Sequence, residues 1–279
     1  MIVDIHTHLI GFDELTQKLK DDIVRCGMVL EKFNYTEEDY IKGTTGADAV
    51  IVFGIRGKAT GWCSDNEKVA EFVNINKKKY IFFTSVDPTE EDFMDQLEFS
   101  HKNLGCKGLK IGPVYQGVHP HDPRYYQIFD YCQKHGLPVI THMAAVFTSG
   151  TYLEYAQPIL MDKIACDFPG LNIVLAHLGH PWGDETIAII RKQPNLYADN
   201  SALYYRPWQF YNTMRLLEEY KAAGKVFFGS DYPACTTEES IEGLKNVNKI
   251  IGGSGLPKIS EALIDEILYK NPLPILGIG

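Results

Sequence analysis

The chain has 279 residues, of which 45% are hydrophobic and 23% charged, with a formal net charge of −9. That size can bury a large core without disulfide staples, and the acidic balance argues against a phosphate-backbone partner. The six cysteines form no CxxC pair, Met1 runs straight into strand-like sequence, and no apolar run reaches the roughly 18–20 residues that span a bilayer. The composition therefore predicts a cytoplasmic protein in a reducing compartment, with neither nucleic-acid nor membrane partners.

The first strand candidate, Ile2–Ile5, leads into His6-Thr7-His8. Side chains alternate along a strand, so His6 and His8 share a face. Residues Phe12–Lys42 read as a helical excursion before the second strand, Ala49–Phe53. Asp65–Asn76 follows as a helix, with Val69, Phe72 and Val73 at helical spacing, and then the strand Tyr80–Val86. Thr89–His101 opens on a Thr-x-x-Asp helix-start signal and precedes the strand Gly108–Ile111. Asp122–His135 carries Pro123 in its first turn and stops at Gly136, the expected asymmetry of helix ends. Strand Pro138–Thr141, an excursion over Met143–Tyr152, helix Tyr152–Asp167 and strand Asn172–Ala176 come next. Helix Thr186–Lys192, strand Leu196–Ala198, helix Pro207–Ala223, strand Lys225–Gly229 and helix Thr237–Ile250 complete the series.

Eight short strands, apolar on both faces, thus alternate with helices, and no linker or repeat divides them. The pattern predicts an α/β fold in one domain over residues 1–279, a (β/α)8 barrel, with a doubly wound open sheet as the rival.

On a barrel, chemistry gathers where strands end at the C-terminal face. Strand one ends in His6 and His8, strand four offers Lys110, strand five ends in His142, strand six in His177 with His180 close behind, and strand eight in Asp231. A lone histidine after an apolar run is more often structural than functional. Four of the nine histidines and an aspartate at the ends of strands one, five, six and eight is a different matter, because a parallel barrel brings those ends to one mouth. Imidazole and carboxylate suit a divalent ion such as zinc, and such an ion lowers the pKa of bound water from about 15.7 toward 7.

Together the HTH, GLKIG, ITHM, VLAHLGH and FGSDYP segments resemble the amidohydrolase superfamily, and within it the metal-dependent branch known as amidohydrolase-related or amidohydrolase 2. The closing NPLPILGIG is similar to the segment that ends many members, so the resemblance runs from Ile2 to Gly277. It implies a distorted (β/α)8 barrel with one divalent metal ion, zinc or alternatively manganese. Carried over by position, it implies His6, His8, His142 and Asp231 as metal ligands, with His177 and Asp231 as the groups that act on substrate or water. In binuclear relatives a lysine at the fourth strand end is carboxylated and bridges two metals; for Lys110 a buried ion pair or a contact to a substrate carboxylate is the expectation, with the bridging carbamate as the lesser alternative. His180 is expected to orient a neighbour or touch substrate, with a capping histidine before Pro181-Trp182 as the equal alternative.

Arg56, after strand two, is a candidate for gripping a substrate carboxylate, with an exposed loop arginine as the plainer reading. Trp62, Tyr115, His119, Trp182, Tyr204 and Arg206 are candidate pocket walls. The branch contains hydrolases, lactonases and non-oxidative decarboxylases, so fold and ligands leave the reaction open. The short chain tilts the expectation toward hydrolysis of an amide, ester or lactone of a small, carboxylate-bearing substrate. Decarboxylation of an unsaturated or aromatic acid is the alternative, and a non-catalytic metal- or ligand-binding barrel is the reading from another class. A metallonuclease conflicts with the acidic charge. A homodimer is the assembly kept in view.

Overall fold

A computed structural model describes residues 1–279. Eight barrel strands follow one another in parallel: β1 (Val3–His8), β2 (Ala49–Phe53), β3 (Tyr80–Phe82 continuing into Thr84–Ser85), β4 (Leu109–Ile111), β5 (Val139–Thr141), β6 (Ile173–Leu175), β7 (Leu196–Asp199) and β8 (Val226–Phe227). The ladder is interrupted in β3. Its first segment pairs with β2 and its second with β4, with Phe83 between them. The ring is drawn together by Ile5 N–H donating to the Phe228 carbonyl and His8 N–H to the Tyr232 carbonyl, at 3.1 and 2.9 Å. The result is the expected barrel in distorted form.

Alternation along the strands builds two cores. Leu109, Ile111, Val139, Ile173, Leu175, Leu196 and Val226 face outward into a cluster of 43 buried residues shared with the helices. The intervening Ile140, Val174 and Phe227 join Val3, Ile5, Ile51, Phe53 and Phe83 in a second cluster, where Leu276 and Ile278 of the carboxy terminus also pack. Lys110 occupies the same alternate position on β4 and is 1% exposed.

The excursion after β1 contains two helices, α1 (Gln17–Arg25) and α2 (Glu37–Gly43), each capped by a threonine hydroxyl. α3 (Asn66–Val73) is capped by Asp65. α4 begins at Phe93 and ends at Lys102, later than expected from Thr89. The hydroxyl and amide of Thr89 both donate to Asp87 Oδ1, so its start signal builds a turn instead. A short α5 (Pro113–Gln116) precedes α6 (Pro123–His135), which has Asp122 as N-cap and left-handed Gly136 at its end, as expected. The helix expected over Tyr152–Asp167 is broken at Pro158 into a 3-10 turn and α7 (Leu160–Asp167). α8 (Gly183–Lys192), α9 (Pro207–Glu219) and α10 (Thr237–Lys245) follow. α11 (Glu261–Tyr269), capped by Ser260, lies outside the sequence expectations. No helix is long and apolar enough to cross a membrane, and all six cysteines are free thiols.

Candidate metal centre and pocket

His6 and His8 stand at the end of β1, a strand buried along its whole length. The register of β1 against β2 shifts between Asp4 and Thr7. A bulge of this kind re-aims the residues beyond it, and it lets the consecutive Ile5 and His6 both serve the interior. Both imidazoles meet the carboxylate of Asp231 in the loop after β8. Asp231 Oδ1 lies 3.2 Å from His8 Nε2 and 3.5 Å from His6 Nε2. The Asp231 amide donates to the His6 carbonyl at 2.8 Å. Its backbone is left-handed, with φ of 65°, as are those of His177 and Leu178 after β6, with φ of 62° and 45°. Non-glycine residues hold this conformation only where the surroundings impose it.

His6 is steadied from behind. Its Nδ1 lies 2.8 Å from Oδ2 of the buried Asp199, at the end of β7. With Nδ1–H donating there, Nε2 presents a lone pair to the site. The other oxygen of Asp199 accepts from the amides of His177 and Ser201, at 3.0 and 3.1 Å, and from the Ser201 hydroxyl. Ser201 Oγ in turn lies 2.7 Å from His177 Nδ1, so one carboxylate positions two imidazoles. Neither Asp199 nor Ser201 is among the residues the sequence singles out, although Asp199 directly follows the apolar Leu196–Ala198 and fits the same strand-end rule.

Burial holds the imidazoles of His6, His8, His142 and His177 well below the usual histidine range, and the Lys110 ammonium pushes all four the same way. Neutral imidazoles are the form that binds metal. Burial pushes the Asp231 carboxyl up to about 8, with Lys110 opposing. The Lys110 ammonium is itself pulled down by burial to about 8, with Asp199 and Asp231 opposing.

This donor set fits a divalent cation. His6, His8 and Asp231 each offer a donor atom within 4.8 Å of the others. Burial of Asp231 outweighs the nearby Lys110 and Arg206 charges, so a bound cation would favour its ionised form. His8 Nδ1 is buried without a hydrogen-bond partner, so nothing ties that ring away from an ion.

His142 stands apart from the trio. Its Nε2 lies 3.1 Å from the carbonyl of Ala144 in its own loop, its Nδ1 lies 3.2 Å from His177 Nε2, and the Tyr115 hydroxyl is 3.4 Å from both ring nitrogens. Lys110 Nζ lies 3.1 Å from His6 Nε2, beneath the centre.

Beside these groups opens a cavity of about 420 Å³, and 13 of its 21 lining residues are hydrophobic. His8, His142, His177, His180 and Asp231 line it, as do Trp62, Tyr115 and Arg206. His119, Trp182, Tyr204, Lys110 and Arg56 do not. Arg56 differs from its expected role for a definite reason: its Nη2 is 2.8 Å from both oxygens of Glu90, and its Nη1 donates to the Ser64 carbonyl at 3.2 Å. Burial pushes the His180 imidazole down to about 4, with the Arg206 charge adding to the effect.

Similarity to known proteins agrees with this architecture. A curated relative, the 2-amino-3-carboxymuconate-6-semialdehyde decarboxylase of Dictyostelium discoideum, is 24% identical over 247 residues, covering 76% of this chain and 65% of that protein. The match therefore spans less than two thirds of the relative's length. An uncharacterised TIM-barrel protein from Bordetella bronchiseptica superposes with a TM-score of 0.76 at 21% identity, covering 99% of this chain and 98% of its own. The 5-carboxyvanillate decarboxylase of Sphingomonas paucimobilis gives 0.72 at 15% identity, covering 100% and 99%. An amidohydrolase from Burkholderia multivorans with bound zinc gives 0.71 at 12% identity, covering 100% of both chains. These likenesses establish the TIM-barrel fold. The model of the amidohydrolase family matches residues 3–278, and with nearly the whole length accounted for, the chain belongs to that family.

Proposed function

We propose that this protein is a metal-dependent enzyme that releases carbon dioxide, without oxidation, from a small unsaturated or aromatic carboxylic acid. The observation that carries this reading is the meeting of the His6, His8 and Asp231 donors beside a mainly hydrophobic cavity that His177 also lines. A bound zinc or manganese ion would supply a Lewis acid for a substrate oxygen. His6, His8 and Asp231 are the residues proposed to hold it, with His142 as the fourth ligand once its ring leaves the Ala144 carbonyl.

His177 is the proposed proton donor. The bond between the substrate carbon and its carboxylate breaks, the electron pair stays on that carbon, and a proton that water gives to His177 Nε2 is passed to that carbon as carbon dioxide leaves. Asp199 and Ser201 keep the His177 ring aimed. The hydrophobic wall disfavours the charged carboxylate relative to neutral carbon dioxide, which favours decarboxylation over the hydrolysis suggested by chain length. The similarity to a curated decarboxylase supports the same choice.

Hydrolysis of a lactone, ester or amide is the second reading, because His177 and Asp231 both line the cavity and either can move a proton to or from water. A panel of aromatic and unsaturated acids, lactones and amides, assayed with added zinc or manganese, separates the two. Carbon dioxide release that falls by about 10²–10⁴-fold in His177→Ala, with metal content unchanged, is the expected result. Acid release from a lactone, ester or amide without carbon dioxide would shift the assignment to hydrolysis. Metal binding without turnover of any member would leave a non-catalytic barrel.

A further inference from the structure

We infer that Arg206 anchors a second carboxylate on the substrate, so that the pocket selects dicarboxylic acids over simple monocarboxylic ones. The inference rests on the reading above in taking this cavity as the substrate pocket, and it adds which acids enter it.

Among the 21 residues lining the cavity, Arg206 is the one lysine or arginine and Asp231 the one carboxylate. Asp231 belongs to the proposed metal donors. The other cations considered for substrate recognition are committed elsewhere: Arg56 is bound by Glu90 outside the cavity, and Lys110 lies under His6. Arg206 forms no salt bridge. Its guanidinium stacks 4.4 Å from the Tyr205 ring centroid, and Nη1 donates to the Ala202 carbonyl at 2.5 Å.

These two contacts fix the plane of the guanidinium while leaving most of its five donors unspent. A planar fork held in this way matches a carboxylate bidentately, which a flexible ammonium does not. A substrate whose reacting carboxylate meets the metal end therefore finds one further positive group in the cavity, and that group is shaped for a second carboxylate.

Calorimetric titration of the zinc-loaded protein with isophthalate and with benzoate tests this without needing turnover. The unmodified protein is expected to bind isophthalate at least about tenfold more tightly than benzoate. Arg206→Met and Arg206→Gln should both lose that preference while keeping their binding of benzoate. Arg56→Met should keep the preference. Equal affinity for the two probes, no measurable binding of either, a preference that survives both Arg206 variants, or one lost in Arg56→Met would each overturn the inference. Absence of carbon dioxide release from every acid would instead count against the decarboxylation reading and leave the binding result standing.

Discussion

At Asp199 one oxygen serves His6 and the other serves His177 and Ser201. Replacing it with asparagine keeps the shape but turns one acceptor into a donor, so one of the two rings loses its orientation. Asp199→Asn is expected to weaken zinc binding by about 10–100-fold, as loss of a ligand's supporting hydrogen bond does elsewhere. Competition with a chelating dye would measure this, and an unchanged affinity would detach Asp199 from the centre. His180 makes a prediction of a different kind. Its folded pKa is depressed to about 4 from an ordinary 6.5. Its contribution to stability is therefore complete above pH 6.5 and is lost as pH falls from there through about 4, up to about 3 kcal/mol. Urea unfolding from pH 7 to 4 should show His180→Gln losing less stability over that window than the unmodified protein. Equal losses would mean that His180 is not held neutral by the fold.

The β5–α7 connection shows how elements form the pocket wall. Residues Met143–Tyr152 form no helix or strand, yet Val146 and Phe147 line the cavity. α1 straps this loop down. Asp22 accepts from the Ser149 amide at 2.8 Å, Arg25 donates to the Phe147 carbonyl at 3.0 Å, and Lys18 donates to the Ser149 carbonyl at 2.9 Å. Removing the Asp22 carboxylate leaves the loop amide without its acceptor. In Asp22→Ala, chymotrypsin should cut after Phe147 at least about tenfold faster, because local opening becomes easier by the free energy of a charge-assisted bond. An unaltered cleavage rate would show that packing alone holds the loop. The turn after β6 is built differently. Gly179 has φ of +64°, and a Cβ there would collide with the Thr186 hydroxyl of α8. Gly179→Ala should therefore destabilise the protein by about 1–3 kcal/mol, measured by thermal unfolding.

Over the whole molecule, the barrel is tied at both ends of the chain. Leu276, 1% exposed, packs in the same interior cluster as Val3 and Ile5 of β1. Leu276→Ala should cost about 2–5 kcal/mol of unfolding free energy through the cavity it leaves. Zinc content should stay unchanged, because hydrogen bonds from Asp199 and from the loop after β8 hold the donors in place, although Phe53 of that cluster packs against the His6 and His8 rings. Loss of bound zinc in the folded variant would show that packing at the terminus and geometry of the centre are coupled. The ladder of the ring breaks twice, at Phe83 within β3 and between β8 and β1, where single backbone hydrogen bonds join the two sides, leaving two sheets of three and six strands. Phe83 is nevertheless fully buried in the interior cluster, so packing carries the ring across the first break.

The sequence by itself determined the strand series and most of the helices, because short apolar runs and capping residues act within a few positions of one another. Ala49–Phe53 is recovered residue for residue, and Asp122 with Gly136 brackets α6 as its end signals require. It also brought His6, His8 and Asp231 into one candidate set across more than two hundred residues, since the ends of parallel barrel strands share a face. Tertiary structure decided the rest. Arg56 and Arg206 both follow strands, and only packing against Glu90, 34 residues away, removes the first from the pocket. His142 turns to a carbonyl two residues on, while Asp199 reaches back to His6 over 193 residues. Such choices depend on which partners the closed ring places within hydrogen-bonding distance, and no local pattern of residues encodes that distance.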